Sequence, residues 1–214
     1  MFIELNEIEA RIIGCLIEKE NATPDYYPLT LNALTSACNQ KSNRFPVVDY
    51  DEDSVEQALE SLQKRDIVYL FFGSGSRTKK YKHLLPKLLD LDQAETAVIC
   101  VLLLRGPQTL GELNQRTGRL YEFSGLDEVH QTVDGLTKRE EPLVVELPKQ
   151  PGQKEGRFMH LLSGEIDLET FVADTPAPRS SNSQSESLKQ ELNELRAEFE
   201  AFRAEFSEFK KQFD

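Results

Sequence analysis

The densest group of residues able to hold an anion is Arg77, Lys79, Lys80 and Lys82, four cations broken only by Thr78 and Tyr81. Cations at this density suit phosphate, because each phosphate they neutralise releases counterions. The same pattern also suits an exposed sheet edge whose lysines keep it from pairing with other chains. A second candidate is the run Asn39-Gln40-Lys41-Ser42-Asn43-Arg44, polar and free of acids. Its residue types can read base edges or bind an acidic partner. The structural alternative is that Asn39 ends a helix in the left-handed region while Asn43 or Arg44 ties the loop to the core.

Signatures of catalysis are scarce. No Cys-x-x-Cys, His-Glu-x-x-His or Gly-x-Ser-x-Gly string occurs, and Gly73-x-Gly75 lacks the lysine of a phosphate-cradling loop. His83 and His160 close equivalent segments, which suggests fold maintenance, and His130 stands by itself. Cys15, Cys38 and Cys100 are widely separated in apolar helical patterns, as expected of reduced, buried thiols in a cytoplasmic protein. No catalytic residue, metal ligand or cofactor is predicted, and no small-molecule substrate is evident. The expectation is a protein that is not an enzyme.

Charge narrows the partners. With 25 Lys and Arg against 37 Asp and Glu, the net charge is −12. Such a chain is repelled by nucleic acid and by anionic membranes except where a local basic patch intervenes. Residues 1–85 carry −3 and residues 86–173 carry −6, so the first part conceals its basic segment inside a negative total. The longest apolar run, Ala97 to Leu104, is too short to span a membrane, and the N-terminus lacks the pattern of a secretion signal.

These candidates are carried by an internal repeat. Asn6-x-x-Glu9 opens an apolar helical stretch through Ile12, Ile13, Leu16 and Ile17, and Asp92-x-x-Glu95 opens another 86 positions later. Pro28-Leu29-Thr30-Leu31 with Leu34 matches Pro107-Gln108-Thr109-Leu110 with Leu113 at a shift of 79. Val55, Leu62, Lys64 and Arg65 match Val129, Leu136, Lys138 and Arg139 at a shift of 74. Lys80 to Leu85 matches Arg157 to Leu162 at a shift of 77. The stretches Ile67 to Phe72 and Leu143 to Leu147 have the β-branched and aromatic content of strands, each followed by a turn-rich segment. Three helices and a hairpin, written twice, predict two tandem winged helix-turn-helix domains, at 1–86 and 87–173. The fold class is mainly α with small β-hairpins, an α+β arrangement. Domains of this size bury little core singly, which favours packing of one copy on the other.

A winged helix docks its third helix in the major groove. Here Asp51, Glu52, Asp53, Glu56 and Glu60 crowd that helix in the first copy, and Asp127, Glu128 and Asp134 in the second. That acidity counts against sequence reading by these helices, while acids near a helix start also complement its dipole.

The strings Glu9-Ala10-Arg11, Gly14-Cys15-Leu16-x-Glu18-Lys19, Cys38-Asn39-Gln40-Lys41, Pro46-Val47, Leu103 to Thr109 and Met159-His160-Leu161 resemble the YceH-like family of bacterial proteins. The resemblance covers about Leu5 to Leu162 and implies a tandem winged-helix fold in a bacterial cytoplasm. It implies no known activity.

Residues 174–187 have the Ser, Pro and Asn content of a flexible linker. Beyond them Leu188, Leu192, Leu195, Phe199, Phe202, Phe206, Phe209 and Phe213 recur in steps of four and three, the seam of a coiled coil over 188–214. Lys189, Arg196, Arg203 and Lys210 fall at e, and Glu191, Glu198, Glu205 and Gln212 at g. A parallel pair sets Glu191 beside Arg196, Glu198 beside Arg203 and Glu205 beside Lys210. The prediction is a parallel homodimer, with the bulky Phe seam leaving a trimer open. The chain as a whole is expected to bind DNA as a regulator, through its first wing and the Asn39 to Arg44 loop, or alternatively to act as a protein-interaction adaptor.

Overall fold

The computed structural model describes residues 3–72, 78–149 and 155–164. In chain order these form α1 (Glu7–Ala22), a 3-10 turn (Pro24–Tyr26), α2 (Leu31–Cys38), α3 (Glu52–Lys64), β1 (Val68–Phe71), β2 (Lys80–His83) and the short α4 (Leu85–Leu88). There follow α5 (Gln93–Arg105), α6 (Leu110–Thr117), α7 (Leu126–Thr137), β3 (Val144–Leu147) and β4 (Arg157–His160). Residues Met1–Glu169 make one unit and Thr170–Asp214 another. The predicted linker and coiled-coil seam lie outside the described residues.

Local chemistry explains where the helices begin. Asn6 Oδ1 accepts from the Glu9 amide at 2.9 Å, and Glu9 Oε2 accepts in return from the Asn6 amide at 2.9 Å. Asp92 and Glu95 repeat this reciprocal cap at 2.8 and 3.1 Å. A third such box, Thr109 with Glu112, starts α6. Each satisfies two backbone donors that a helix start leaves open.

β1 and β2 pair antiparallel with Val68 opposite His83, and β3 and β4 pair with Val144 opposite His160. Each hairpin also gains a bridge from the segment ahead of its copy's second helix, Leu29 to Tyr81 and Gln108 to Phe158. The predicted strand through Leu85 is shorter than expected. Pro86 lies in the first turn of α4, where its missing N–H costs nothing, and the chain turns helical there.

The copies share one apolar core. Ile12, Ile13, Cys15, Leu16 and Ile17 of α1 and Val98, Ile99, Cys100 and Leu102 of α5 are fully buried within a single cluster. A helix apolar on all sides belongs inside; α1 packs on α2 and α3 on one side and on α5 on the other. The closest approach falls at equivalent positions, since Gly14 plus the repeat offset of 86 is Cys100. Cys100 Sγ lies 3.4 Å from the Gly14 carbonyl oxygen, and a Cβ on Gly14 would stand 2.8 Å from Leu104 Cδ2. The Leu5 amide donates to the Leu162 carbonyl at 2.6 Å, joining the start of the first copy to the end of the second.

The basic pair ending each third helix has a structural use. Arg65 reaches Glu9 at 2.5 Å and the Glu4 carbonyl at 2.6 Å. Arg139, its counterpart, reaches Glu95 at 3.0 Å and the Asp90 carbonyl at 2.9 Å. In both copies the arginine fastens the end of the third helix to the capping glutamate of the first. For Glu9, burial would raise the pKa, but hydrogen bonds from Ser61, the Asn6 amide and Arg65, together with the Arg65 charge, bring it below the ordinary value.

The two strand-end histidines differ. His83 Nε2 sits 2.9 Å from Glu20 Oε2. His160 is buried, and burial pulls its pKa down to about 4. A base whose folded pKa lies below its unfolded value of about 6.5 lets the unfolded chain take up the proton first. Stability is therefore complete above pH 6.5, falls as the pH drops towards 4, and loses about 3 kcal/mol in all from this residue. Urea unfolding at pH 7.5 and pH 5 should show a fall of about 2 kcal/mol in the native chain and a much smaller one in His160→Leu. An equal fall in both would assign the pH dependence elsewhere.

Candidate functional site

The β1–β2 hairpin has two unlike faces. Val68, Tyr81 and His83 are buried and Leu70 is half-buried on one. The other presents Tyr69 opposite Lys82 and Phe71 opposite Lys80, because directly paired residues share a face. On β1 Tyr69 is 38% exposed and Phe71 40%, and Phe72 just beyond the strand is 56% exposed, large values for aromatic residues. The outward face thus pairs an aromatic residue on β1 with a lysine on β2 at two successive positions. Sequence reasoning found the lysines and missed the rings; the alternation of Tyr69 and Phe71 with buried Val68 and half-buried Leu70 was the signal that could have found them.

Lys79 is exposed and Lys80 half-buried, and among the described residues neither has an ion-pair partner. Lys82 is drawn towards Glu20, 3.8 Å away, and its Nζ lies 5.5 Å from the centre of the Tyr27 ring. Hydrogen bonding from His83 does most to hold the Glu20 carboxyl below its usual range, against the opposing effect of burial. Tyr27 is fixed beneath this corner, its hydroxyl accepting from the His83 amide at 3.1 Å. Burial pushes its phenol well above the ordinary value, so the ring stays neutral. Arg77 lies outside the described residues.

The run from Asn39 to Arg44 divides. Arg44 is buried, its side chain 0% exposed, and its guanidinium meets Glu18 at 3.1 and 2.6 Å, Gln40 Oε1 at 3.0 Å and the Ala37 carbonyl at 3.2 Å. It cannot serve as an external contact, and its place in that set is withdrawn: all its donors are spent inside. Burial would raise the Glu18 pKa, but the hydrogen bonds and charge of Arg44 outweigh it and keep this acid ionised. Asn39 is the cap residue of α2 with φ −86°, not left-handed; its amide group both donates to and accepts from the Tyr50 backbone at 2.8 Å. The left-handed residue is Asn43, φ 61°. There a short polar side chain tolerates the conformation, and Asn43 Oδ1 accepts from Arg105 at 2.6 Å. Gln40 is half-buried, and Lys41 is exposed and has no partner among the described residues.

The third helices keep their acidic faces. Asp51, Glu52, Asp53 and Glu60 are exposed on or beside α3. Asp51 caps the helix, accepting from the Ser54 amide at 2.7 Å. On α7, Glu128 accepts from Tyr121 at 2.6 Å and from Ser124, and Asp134 pairs with Lys138 at 2.7 Å. Among the described residues, no group of three or more His, Cys, Asp or Glu could hold a metal ion, and no helix is long and apolar enough to cross a membrane.

These features define a mixed α and β protein of two helix-and-hairpin copies around one core, with a cationic hairpin on the first. Residues 5–153 match the family described as Protein of unknown function, DUF480, and the chain belongs to that family. It is similar to a UPF0502 protein of Geobacter sulfurreducens, 51% identical over 176 residues, covering 82% of this chain and 80% of that one. It is also similar to a UPF0502 protein of Vibrio atlanticus, 49% identical over 191 residues, covering 87% of this chain and 88% of that one. The expected YceH-like membership agrees with this family.

Proposed function

We propose that the chain is a cytoplasmic tandem winged-helix protein, with domains at 1–86 and 87–173, that binds duplex DNA through its first hairpin without catalysing a reaction. The observation that carries this reading is the outward face of β1–β2, where Tyr69 and Phe71 alternate with Lys82 and Lys80 beside the unpartnered Lys79. Cations of this kind grip phosphate without reading sequence, and phosphate contacts position a protein on the helix. The acidic surface of α3 keeps that helix out of the major groove. Sequence preference, where present, would then come from duplex shape rather than from base contacts. Fluorescence anisotropy with a labelled random duplex tests the reading: Lys79→Glu/Lys80→Glu/Lys82→Glu should weaken binding at least tenfold at low salt. Unchanged affinity would reject the hairpin as the contact.

Assembly through the tail completes the proposal. A parallel coiled coil over Leu188 to Phe213 would bring two first hairpins onto one duplex. A chain ending at Ser187 should sediment at half the mass of the intact protein; an unchanged mass assigns assembly elsewhere. The exposed acids Asp51, Glu52, Asp53 and Glu60 favour a second reading, in which α3 docks a basic protein and the chain is an adaptor.

A further inference from the structure

The two copies differ most in their connections. Their offset falls from 86 to 79 between the first and second helices and from 79 to 74 between the second and third, so the first copy carries seven and then five extra residues. Both insertions border one cleft of about 1210 Å³. Thr23 comes from the first and Lys41 and Asn43 from the second; the facing wall is Arg105 at the end of α5 and Arg116 and Arg119 around the end of α6. Surface loops held on a rigid scaffold are where binding residues concentrate, and both insertions contribute to this one recess.

Its charge is one-sided. Lys19, Lys41, Arg105, Arg116 and Arg119 line it beside one acid, Glu18; Arg44 and Lys19 engage that acid and Arg116 pairs with Glu112 at 3.4 Å, so among the described residues Lys41, Arg105 and Arg119 are the lining cations without a carboxylate partner. Lys41 and Arg119 are exposed and have no partner among the described residues. Arg105 donates only to the neutral Asn43, and burial together with the nearby charges of Arg116 and Arg44 lowers its pKa. Like charges gathered in a recess repel one another until an anion enters. Val101, Leu104 and Leu120 add an apolar contribution to the lining.

We propose that this cleft binds a small organic molecule carrying two or more phosphates, held by Lys41, Arg105 and Arg119, with its organic part against Val101, Leu104 and Leu120. Arginine forks match phosphate oxygens, and lysine supplies a point charge. A single carboxylate would leave most of the cationic charge uncompensated. The volume, somewhat above the roughly 300–1,000 Å³ usual for ligand sites, admits a nucleotide-sized molecule. The proposal is independent of the hairpin reading, since no hairpin residue lines the cleft.

Titration calorimetry on the intact chain, with ATP, inorganic pyrophosphate and adenosine as probes at low ionic strength, tests it. ATP should bind most tightly, pyrophosphate more weakly and adenosine not measurably. Lys41→Glu/Arg119→Glu, two exposed changes that leave the core intact, should weaken ATP binding by roughly 30-fold or more, as expected for losing two charge-assisted contacts. The hairpin variant Lys79→Glu/Lys80→Glu/Lys82→Glu should keep its ATP affinity while losing duplex affinity. No heat from ATP or pyrophosphate at millimolar concentration would overturn the proposal, as would ATP binding that the double variant leaves unchanged. Adenosine binding as well as ATP would refute the phosphate site, and pyrophosphate binding as well as ATP would refute the apolar seat. Loss of duplex binding in the cleft variant, with ATP inert, would assign the cleft to DNA instead.

Discussion

Glu18→Ala should destabilise the protein by about 3 kcal/mol, because it strands a buried guanidinium. The Arg44 side chain is wholly enclosed, and Glu18, 19% exposed, supplies both of the carboxylate oxygens it meets. Without them, Arg44 keeps Gln40 and the Ala37 and Asn43 carbonyls, which accept hydrogen bonds but do not cancel the charge. Breaking a buried pair by removing one member costs about 3–5 kcal/mol, and the partial exposure of Glu18 puts this case at the low end. Replacing both members, as in Glu18→Leu/Arg44→Met, should recover most of the loss, since no charge is then left unpaired. Urea unfolding midpoints measure both effects. A fall below about 1 kcal/mol for Glu18→Ala would mean that Arg44 finds water and is less enclosed than the structure places it.

Gly14→Ala discriminates by sign. In an ordinary exposed helix interior the change stabilises by about 1 kcal/mol, because alanine is the better helix former. Here the new Cβ would meet Leu104 Cδ2 and Cγ at 2.8 Å and Leu103 Cβ at 3.2 Å. Leu104 is itself 3% exposed, so it has little room to withdraw. Overpacking of this kind costs about 1–3 kcal/mol, which turns the expected gain into a net loss. Gly14→Val, larger and β-branched, should lose about 3 kcal/mol. Because α1 and α5 share one core, the loss should appear as an earlier single transition reported alike by probes in both copies. A stabilised Gly14→Ala variant would show that α1 and α5 do not approach at this point.

The elements governed by short-range chemistry were readable in the sequence. Asn6 with Glu9 and Asp92 with Glu95 are caps whose two halves lie three residues apart, and both formed as their spacing predicts. The β-branched and aromatic run through Val68 to Phe71 and the repeat match of Lys80 to His83 likewise marked a hairpin, whose register is seen only in the structure. The Arg44 role was not decided there, because the same guanidinium serves a phosphate or Glu18, and 26 residues separate it from that partner. Asn39 and Asn43 are equally capable of the left-handed region; the pull of Arg105 on Asn43, across 62 residues, is a tertiary contact that no local pattern reveals. The cleft is hidden for the same reason, since its cations come from the ends of α1, α5 and α6 and from a loop. What the sequence did hold was its outline: the two places where the repeat offset falls, from 86 to 79 and from 79 to 74, are the two insertions that border it.

The paired copies also explain how an acidic protein can carry cationic surfaces. Several acids are committed inside the fold: Glu9 and Glu95 to the third-helix arginines, Glu18 to Arg44, and Glu112 to Arg157 at 2.8 Å. The net charge of −12 therefore describes the total and not the local potential at the hairpin.

The central claim is that phosphate is gripped at the first hairpin, and the most direct test is a salt titration of duplex binding by the intact chain and by Lys79→Glu/Lys80→Glu/Lys82→Glu. Two hairpins of three lysines each, brought onto one duplex by the paired tails, predict that the logarithm of the association constant falls with the logarithm of salt concentration at a slope of about −5. The variant should bind at least tenfold more weakly and lose most of that slope. Absence of duplex binding by the intact chain at the lowest salt, where phosphate contacts are strongest, would contradict the account.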